Sequence, residues 1–436
     1  MMFRAIGRWA ASFRPAGGAY SMTFAQPMVG VSHPTQVTST SDSYERLASA
    51  ITGQPLPAAV LDLDALEANA HAMLRRAGHL PIRLGSKSVR CTEVLRHVQA
   101  LSARFQGLLC YSGREAAWLS TQGFDDLVVA YPTIDSADLD AVAAQIRRGK
   151  HIVLMVDDRR QLDAIESRAS AQGVVFPLAI DLDCSTIHPN IYFGVRRSPI
   201  TTPEDALLLA EAIAFRGGTM RLVGLMGYEG QIAGLQDEVP GQGIKNHVLR
   251  ALKKRSVREL SKRRRTTVAA LRAAGFLLDF VNGGGTGSLE VTGTDPSVTE
   301  LTAGSGLYSP GLFDHFHHFR HLPSLSFALQ VTRKPTRGIV TCLGGGYIAS
   351  GPAGADRLPR PFLPHGMKLL PREGAGEVQT PVRLPIGVDV PLGAPLFFRH
   401  AKAGELAERF THFLLVRDGK VVGTAPTYRG EGQCFI

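Results

Sequence analysis

No run of about 18 or more apolar residues occurs in the 436 residues, so nothing in the chain asks for a bilayer. Charged residues are scarce, at 20%, while apolar residues reach 44%. That balance excludes disorder as the default and leaves enough material for a large core, at this length for two domains. Cysteine is sparse too. Cys91, Cys110, Cys184, Cys342 and Cys434 are odd in number, widely spread and never in a CxxC pair. This argues against both a disulfide framework and a Cys-rich zinc site, and fits a soluble protein of the reducing cytoplasm. Residues 1–54 contain Arg and small residues without a continuous apolar stretch, so no secretory signal is expected. They read as a lead-in, partly disordered or joining a later domain. Internal repeats with periods of about 20 to 50 residues are also absent.

The net charge is +10, and one segment explains most of it: Lys253 to Arg265 (KKRSVRELSKRRR) holds eight basic residues against one acid. A nucleic-acid site would want such a patch, but no aromatic residue interleaves with it and no recognition motif surrounds it. The segment reads as the solvated face of a surface helix.

What is present from residue 82 onward is a regular series of apolar, β-branched runs bounded by turn residues. They are IRLGSKS (82–88), QGLLCYS (106–112), DLVVAYP (126–132), HIVLMVD (151–157), FPLAIDLD (176–183), RLVGLMGYEG (221–230), LDFVNGGGTG (278–287) and ELTAGSGLY (300–308). Helical stretches separate most of them, although the last link is too short for a full helix. Eight strands buried on both faces predict a parallel (β/α)8 TIM-type barrel over 55–310, because only parallel strands need crossover helices and only closure removes the edges. A doubly wound sheet is the alternative. After residue 311, prolines cluster and helical periodicity fades, and runs such as SFALQVT, GIVTCL and HFLLVRDGKVVGT predict a β-rich C-terminal domain with a DG hairpin over 311–436.

In such barrels the active site gathers at the carboxyl ends of the strands. Those ends carry Lys87, then Tyr111 and Ser112, Asp181 and Asp183, Tyr228 and Glu229, Asn282, and finally Gly304, Ser305 and Tyr308. Glycine-rich turns at Gly283–Gly287 and Gly304–Gly306 follow the last two strands, where barrels commonly hold phosphate on unblocked backbone N–H groups; a plain turn is the competing reading. Lys87 is the one lysine this reading puts at a strand end. An amine there, beside Arg83 and Arg90, would be primed for Schiff-base chemistry, unless the strand is misplaced and the lysine merely superficial.

The strings LDLDALEANA (61–70), IRLGSKS with its Arg-x-x-x-Lys spacing, GLLCYSGREAAWL, IDLD, VGLMGYEGQ, NGGGTG and TELTAGSGLY occur in an order that resembles the alanine-racemase-like pyridoxal-phosphate enzymes. Within them, the chain is most similar to the D-threonine aldolase and D-serine dehydratase branch. The resemblance implies that Lys87 carries pyridoxal 5'-phosphate as a Schiff base. It also implies that Asn282, Gly283, Gly284, Gly285, Thr286, Gly304 and Ser305 hold the cofactor, with Tyr228 lining its pocket. The implied activity is a lyase cleaving a D-configured β-hydroxy-α-amino acid, as a cytoplasmic homodimer. A D-serine dehydratase-like deaminase, an amino-acid racemase and a non-catalytic cofactor-binding protein are the rivals.

Two places depart from that pattern. Metal-activated members carry, in the tail domain, a histidine followed two places later by cysteine or aspartate; here the string is Arg399, His400, Ala401, Lys402. A divalent Mn, Zn or Mg ion would have His400 and a poor second ligand, and the Lys402 ammonium could hold a carboxylate or hydroxyl in its stead. After strand five the chain reads DLDCSTIHPNIYFGVRR, with an insertion, which leaves Arg196 and Arg197 as the candidates to face the cofactor's ring nitrogen. His188, in the same loop, reads as a capped loop histidine before a base. LGGGY (343–347) reads as a hairpin turn before a phosphate turn.

Overall fold

The computed structural model describes residues 40–188 and 191–436. The lead-in expected over 1–54 lies outside the described residues as far as residue 39. From there the chain forms a helix, Thr40–Ala50, and a strand, Ala58–Asp62.

Eight parallel strands close into a barrel: Ile82–Gly85, Phe105–Cys110, Leu127–Val129, Ile152–Val156, Phe176–Asp181, Met220–Gly227, Phe280–Gly283 and Glu300–Ala303. Each overlaps one of the runs read from the sequence, and their order around the barrel is their order in the chain. Five of the helices around the barrel start where a polar side chain can satisfy a first-turn N–H. Asp62, Ser112, Asp135, Asp158 and Thr202 each accept such a bond, and Asp158 and Thr202 complete capping boxes. Between the seventh and eighth strands only the five-residue helix Leu289–Gly293 fits.

The strand Ala58–Asp62 does not join the barrel that was expected to start at residue 55. It pairs antiparallel with Leu325–Thr336 and parallel with His412–Arg417, inside a nine-stranded sheet otherwise built from the tail. The DG hairpin forms as read: Asp418 and Gly419, at φ 48° and 70°, join His412–Arg417 to Lys420–Pro426.

The basic segment lies on a 31-residue helix, Gly243–Ala273, but its charges are not all solvated. Lys253, Ser256, Leu260, Arg264, Val268 and Leu271 form a buried stripe at helical spacing. Lys253 pairs with Asp237 at 3.0 Å, and Arg264 is fully enclosed between Asp295 at 2.9 Å and Glu229 at 3.2 Å. Composition cannot show such partners, because they come from distant loops.

Arg83 also departs from its expected role. It stands on the first barrel strand and grips both carboxylate oxygens of Glu300 on the eighth, at 2.8 and 2.9 Å, while its third nitrogen reaches Asp126 at 3.0 Å. These carboxylates push its pKa up against the effect of burial, so its charge is neutralised across the seam where the barrel closes. Arg90 is likewise matched by Glu408. Neither is an unpaired cation beside Lys87. Replacing Arg83 by alanine would leave Glu300 buried without its partner, and is expected to lower the unfolding free energy by about 3–5 kcal/mol in a denaturant titration.

Candidate active site

At the carboxyl ends of the barrel strands lies an open cavity of about 850 Å³. Lys87 reaches it from the one-turn helix Ser86–Ser88, directly after the first strand. Its Nζ donates to the Tyr131 hydroxyl at 3.3 Å. Its backbone carbonyl accepts from Arg90 Nε at 3.1 Å and has Gly404 packed against it; a Cβ at Gly404 would lie 1.9 Å from that oxygen. The tail thus fixes the turn that carries the lysine.

With Lys87, the same cavity is lined by Asn282, Gly284, Gly285, Thr286, Gly304 and Ser305. The bareness of this wall is required by packing. A Cβ at Gly304 would meet the Gly85 carbonyl at 2.6 Å, and one at Gly285 would meet the Ala233 side chain at 2.7 Å, while Gly284 sits at φ +91°. Ser305 Oγ bonds Ser88 Oγ at 3.0 Å, and Thr286 Oγ1 accepts from the Gly306 N–H at 2.9 Å. Asn282 turns its amide to Glu300 and Thr302 at 2.8 and 2.9 Å, so it braces the floor. Gly283 stands behind the wall, against Thr292 and Arg264.

The glycine turn is held from outside by the buried Arg264. Glu229 receives that guanidinium on one oxygen and the hydroxyls of Ser288 (2.9 Å) and Thr292 on the other; Ser288 Oγ in turn accepts from the Gly285 N–H at 3.1 Å. Glu229 therefore serves the loop and does not line the cavity. The other strand-end residues divide similarly. Tyr111 lines the cavity, whereas Ser112 caps a helix and Tyr308 is fully buried with its hydroxyl on the Val89 carbonyl at 3.0 Å. His188 lies outside the cavity, in the hairpin Thr186–His188 and Ile191–Phe193, near Thr186 Oγ1 at 3.3 Å.

The aromatic side is more elaborate than the sequence suggested. Tyr228 lines the cavity, and desolvation pushes its hydroxyl up to about 12, so it stays protonated near neutrality. The Arg197 guanidinium stands over Tyr228 and Tyr131, 5.2 and 5.6 Å from the ring centroids, and lines the cavity. Arg196 turns away onto Tyr192 at 4.0 Å. Tyr131 and Ser88 were not singled out in the sequence, although Tyr131 closes the run DLVVAYP at a strand end and the strand-end rule reaches it. Arg197 belongs to an irregular insertion, where no periodicity points anywhere.

Behind Arg197, burial and the Asp157 carboxylate raise Asp181 to about 7, opposed by Arg197. A carboxyl with an ordinary value of 3.8 and a folded value of about 7 holds its proton more tightly in the fold. Its contribution to stability is complete below about pH 4 and disappears as pH rises through 7. Thermal unfolding followed across that window is expected to show a smaller loss for Asp181→Asn than for the wild type. Part of the loss remains, because desolvation also holds Glu115 at about 7.

The fold and site define a parallel α/β barrel whose strand ends enclose a lysine-bearing cavity walled by glycine turns suited to a phosphate group. The chain belongs to the alanine racemase N-terminal domain family, whose model matches residues 61–310. Among curated proteins it is 24% identical over 263 residues to the 3-hydroxy-D-aspartate aldolase of Paracoccus denitrificans (strain Pd 1222), covering 60% of this chain and 62% of that protein. It is 27% identical over 267 residues to the D-threonine aldolase of an Arthrobacter species, covering 59% and 64%. The match thus spans somewhat less than two thirds of these relatives' length. Among solved structures, D-threonine aldolase from Filomicrobium marinum shares the fold with a TM-score of 0.73 at 22% identity, over 86% of this chain and 95% of that one.

Proposed function

We propose that the chain is a pyridoxal-phosphate-dependent lyase that cleaves a D-configured β-hydroxy-α-amino acid of the D-threonine kind. One observation carries the reading: an amine at the end of the first barrel strand and a bare glycine wall after the last two strands share one cavity. The residues fit the cofactor. Lys87 is the amine to bind its aldehyde, and the turns at Gly284–Thr286 and Gly304–Ser305, where a Cβ would collide, leave backbone room for its phosphate. Arg197, of the two arginines left open by the sequence, is the one that reaches the cavity, as a guanidinium partner for the ring nitrogen.

Bound pyridoxal phosphate supplies an electron sink that weakens the bonds at the substrate Cα. The chain's residues choose the bond and move the protons. Lys87, oriented by the Tyr131 hydroxyl, is placed to hold and return a proton at Cα. Tyr228, kept protonated by burial, and Tyr131 close the side of the cavity around Arg197, and their hydroxyls can donate to an oxygen of the substrate. A racemase would need bases on opposite faces, and Lys87 is the one amine among the described residues lining the cavity. The D-configuration is taken from the relatives' substrates.

We place the protein in the cytoplasm as a homodimer. All five cysteines are free, in keeping with a reducing compartment, and among the described residues no helix is long and apolar enough to cross a membrane. The dimer follows from the family resemblance alone and is open to light scattering.

The decisive experiment compares wild type with Lys87→Ala after addition of pyridoxal phosphate and D-threonine. Wild type is expected to show a visible absorbance band and to release glycine and acetaldehyde. The variant should lose the band and at least about 10²- to 10⁴-fold in rate. A 2-oxo acid and ammonia in place of those products would make the chain a dehydratase. Absence of a band in both proteins would refute the cofactor assignment.

A further inference from the structure

A second hollow, of about 1060 Å³, opens in the β-rich layer and shares no lining residue with the cavity around Lys87. Ser350, His400, Lys402, Glu405, Arg409 and Arg429 stand on its wall. The family resemblance placed a divalent ion at His400, and the donors here do not fit one. Among the described residues, no three His, Cys, Asp or Glu side chains meet in a group that could hold a metal. Both side-chain carboxylates on the wall are already engaged, and the Cys434 thiol, also on the wall, donates to the Ile436 carbonyl at 3.3 Å. Glu405 accepts from the Ser350 N–H at 2.8 Å and from the Ser350 hydroxyl, and has Lys402 Nζ at 3.6 Å; Glu408 is held by Arg90. Lys402 Nζ donates to Ser350 Oγ at 2.7 Å, and a charged lysine offers no lone pair.

What the hollow has in surplus is positive charge and hydrogen-bond capacity. Lys402, Arg409 and Arg429 face it against Glu405 and the already paired Glu408. His400 is 2% exposed, and neither of its ring nitrogens closes a hydrogen bond, although the Leu325 backbone is near enough to act on the ring. A buried polar ring with no partner costs free energy until something polar arrives.

We propose that this hollow is a binding site for a small organic carboxylate, with the Lys402 ammonium as its fixed cation and no metal ion bound. Planar carboxylates suit the donors present, one ammonium and two guanidinium forks, better than a tetrahedral oxyanion does. The assignment does not rest on the cofactor reading and would stand in a chain that bound no pyridoxal phosphate.

The test uses the full chain with succinate as probe. After dialysis against a chelator and then equilibration with Mn²⁺ or Zn²⁺, mass spectrometry is expected to find far less than one ion per chain. Calorimetric titration is expected to show saturable succinate binding, unchanged by the chelator and weakened at least about tenfold in Lys402→Gln. The exposed Lys334→Gln, far along the chain and paired with Asp389, should bind as wild type does. Stoichiometric metal, no succinate binding, equal affinity in Lys402→Gln, or tighter binding of inorganic phosphate than of succinate would each overturn the proposal. Failure of the absorbance experiment above would leave these results unaffected.

Discussion

Everything at the candidate site depends on how the barrel closes. Parallel strands held only by backbone bonds and apolar contacts can slip, and a slip of one residue turns every side chain to the other face. Here the seam between the eighth strand and the first is crossed by Arg83 and Glu300, joined through two hydrogen bonds, with Asn282 of the seventh strand tied to the same carboxylate. A buried ion pair is weak evidence for stability, but it tolerates few alternative registers. From those two residues the chain needs four further positions to reach Lys87 on one side and Gly304 on the other. The pair therefore sets the turn that carries the amine beside the glycine turn at Gly304, where Ser88 and Ser305 meet.

A second brace acts from outside. Arg264, on the long basic helix, has no contact with solvent, and through Glu229 and Ser288 it reaches the Gly285 N–H. On the opposite side, the tail holds the Lys87 turn through Gly404 and the Arg90–Glu408 pair. The cavity is thus formed by loops but positioned by buried charge, and the two ends of the barrel's circuit are secured by different parts of the chain.

The barrel was legible because strands buried on both faces read as continuous apolar runs, and all eight runs became strands. Lys87, Tyr228, Gly284, Gly285 and Gly304 were reached from the rule that barrel sites gather at strand ends, and they line one cavity. The strand Ala58–Asp62 was not legible as part of the tail sheet: AAVLD has the same apolar signature as a barrel strand, and its partners lie hundreds of residues away. Arg83 and Arg264 were misjudged for a related reason. A basic residue in sequence carries no mark of the carboxylate that will enclose it. Arg197 sits in an insertion whose course depends on packing against Tyr131 and Tyr228, and periodicity says nothing about such a loop.

The pairing of Ala58–Asp62 also bears on how the chain is made. Ala59 aligns with Phe413, so a strand synthesised early waits for a neighbour roughly 350 residues downstream. At about 5–20 residues per second, that interval is on the order of 20–70 s during which the apolar edge of AAVLD stands open while the barrel between the two strands can already assemble. Topologically the barrel is an insertion within the sheet. Final closure of the sheet is then a late event in synthesis, since its strand His412–Arg417 emerges after all eight barrel strands.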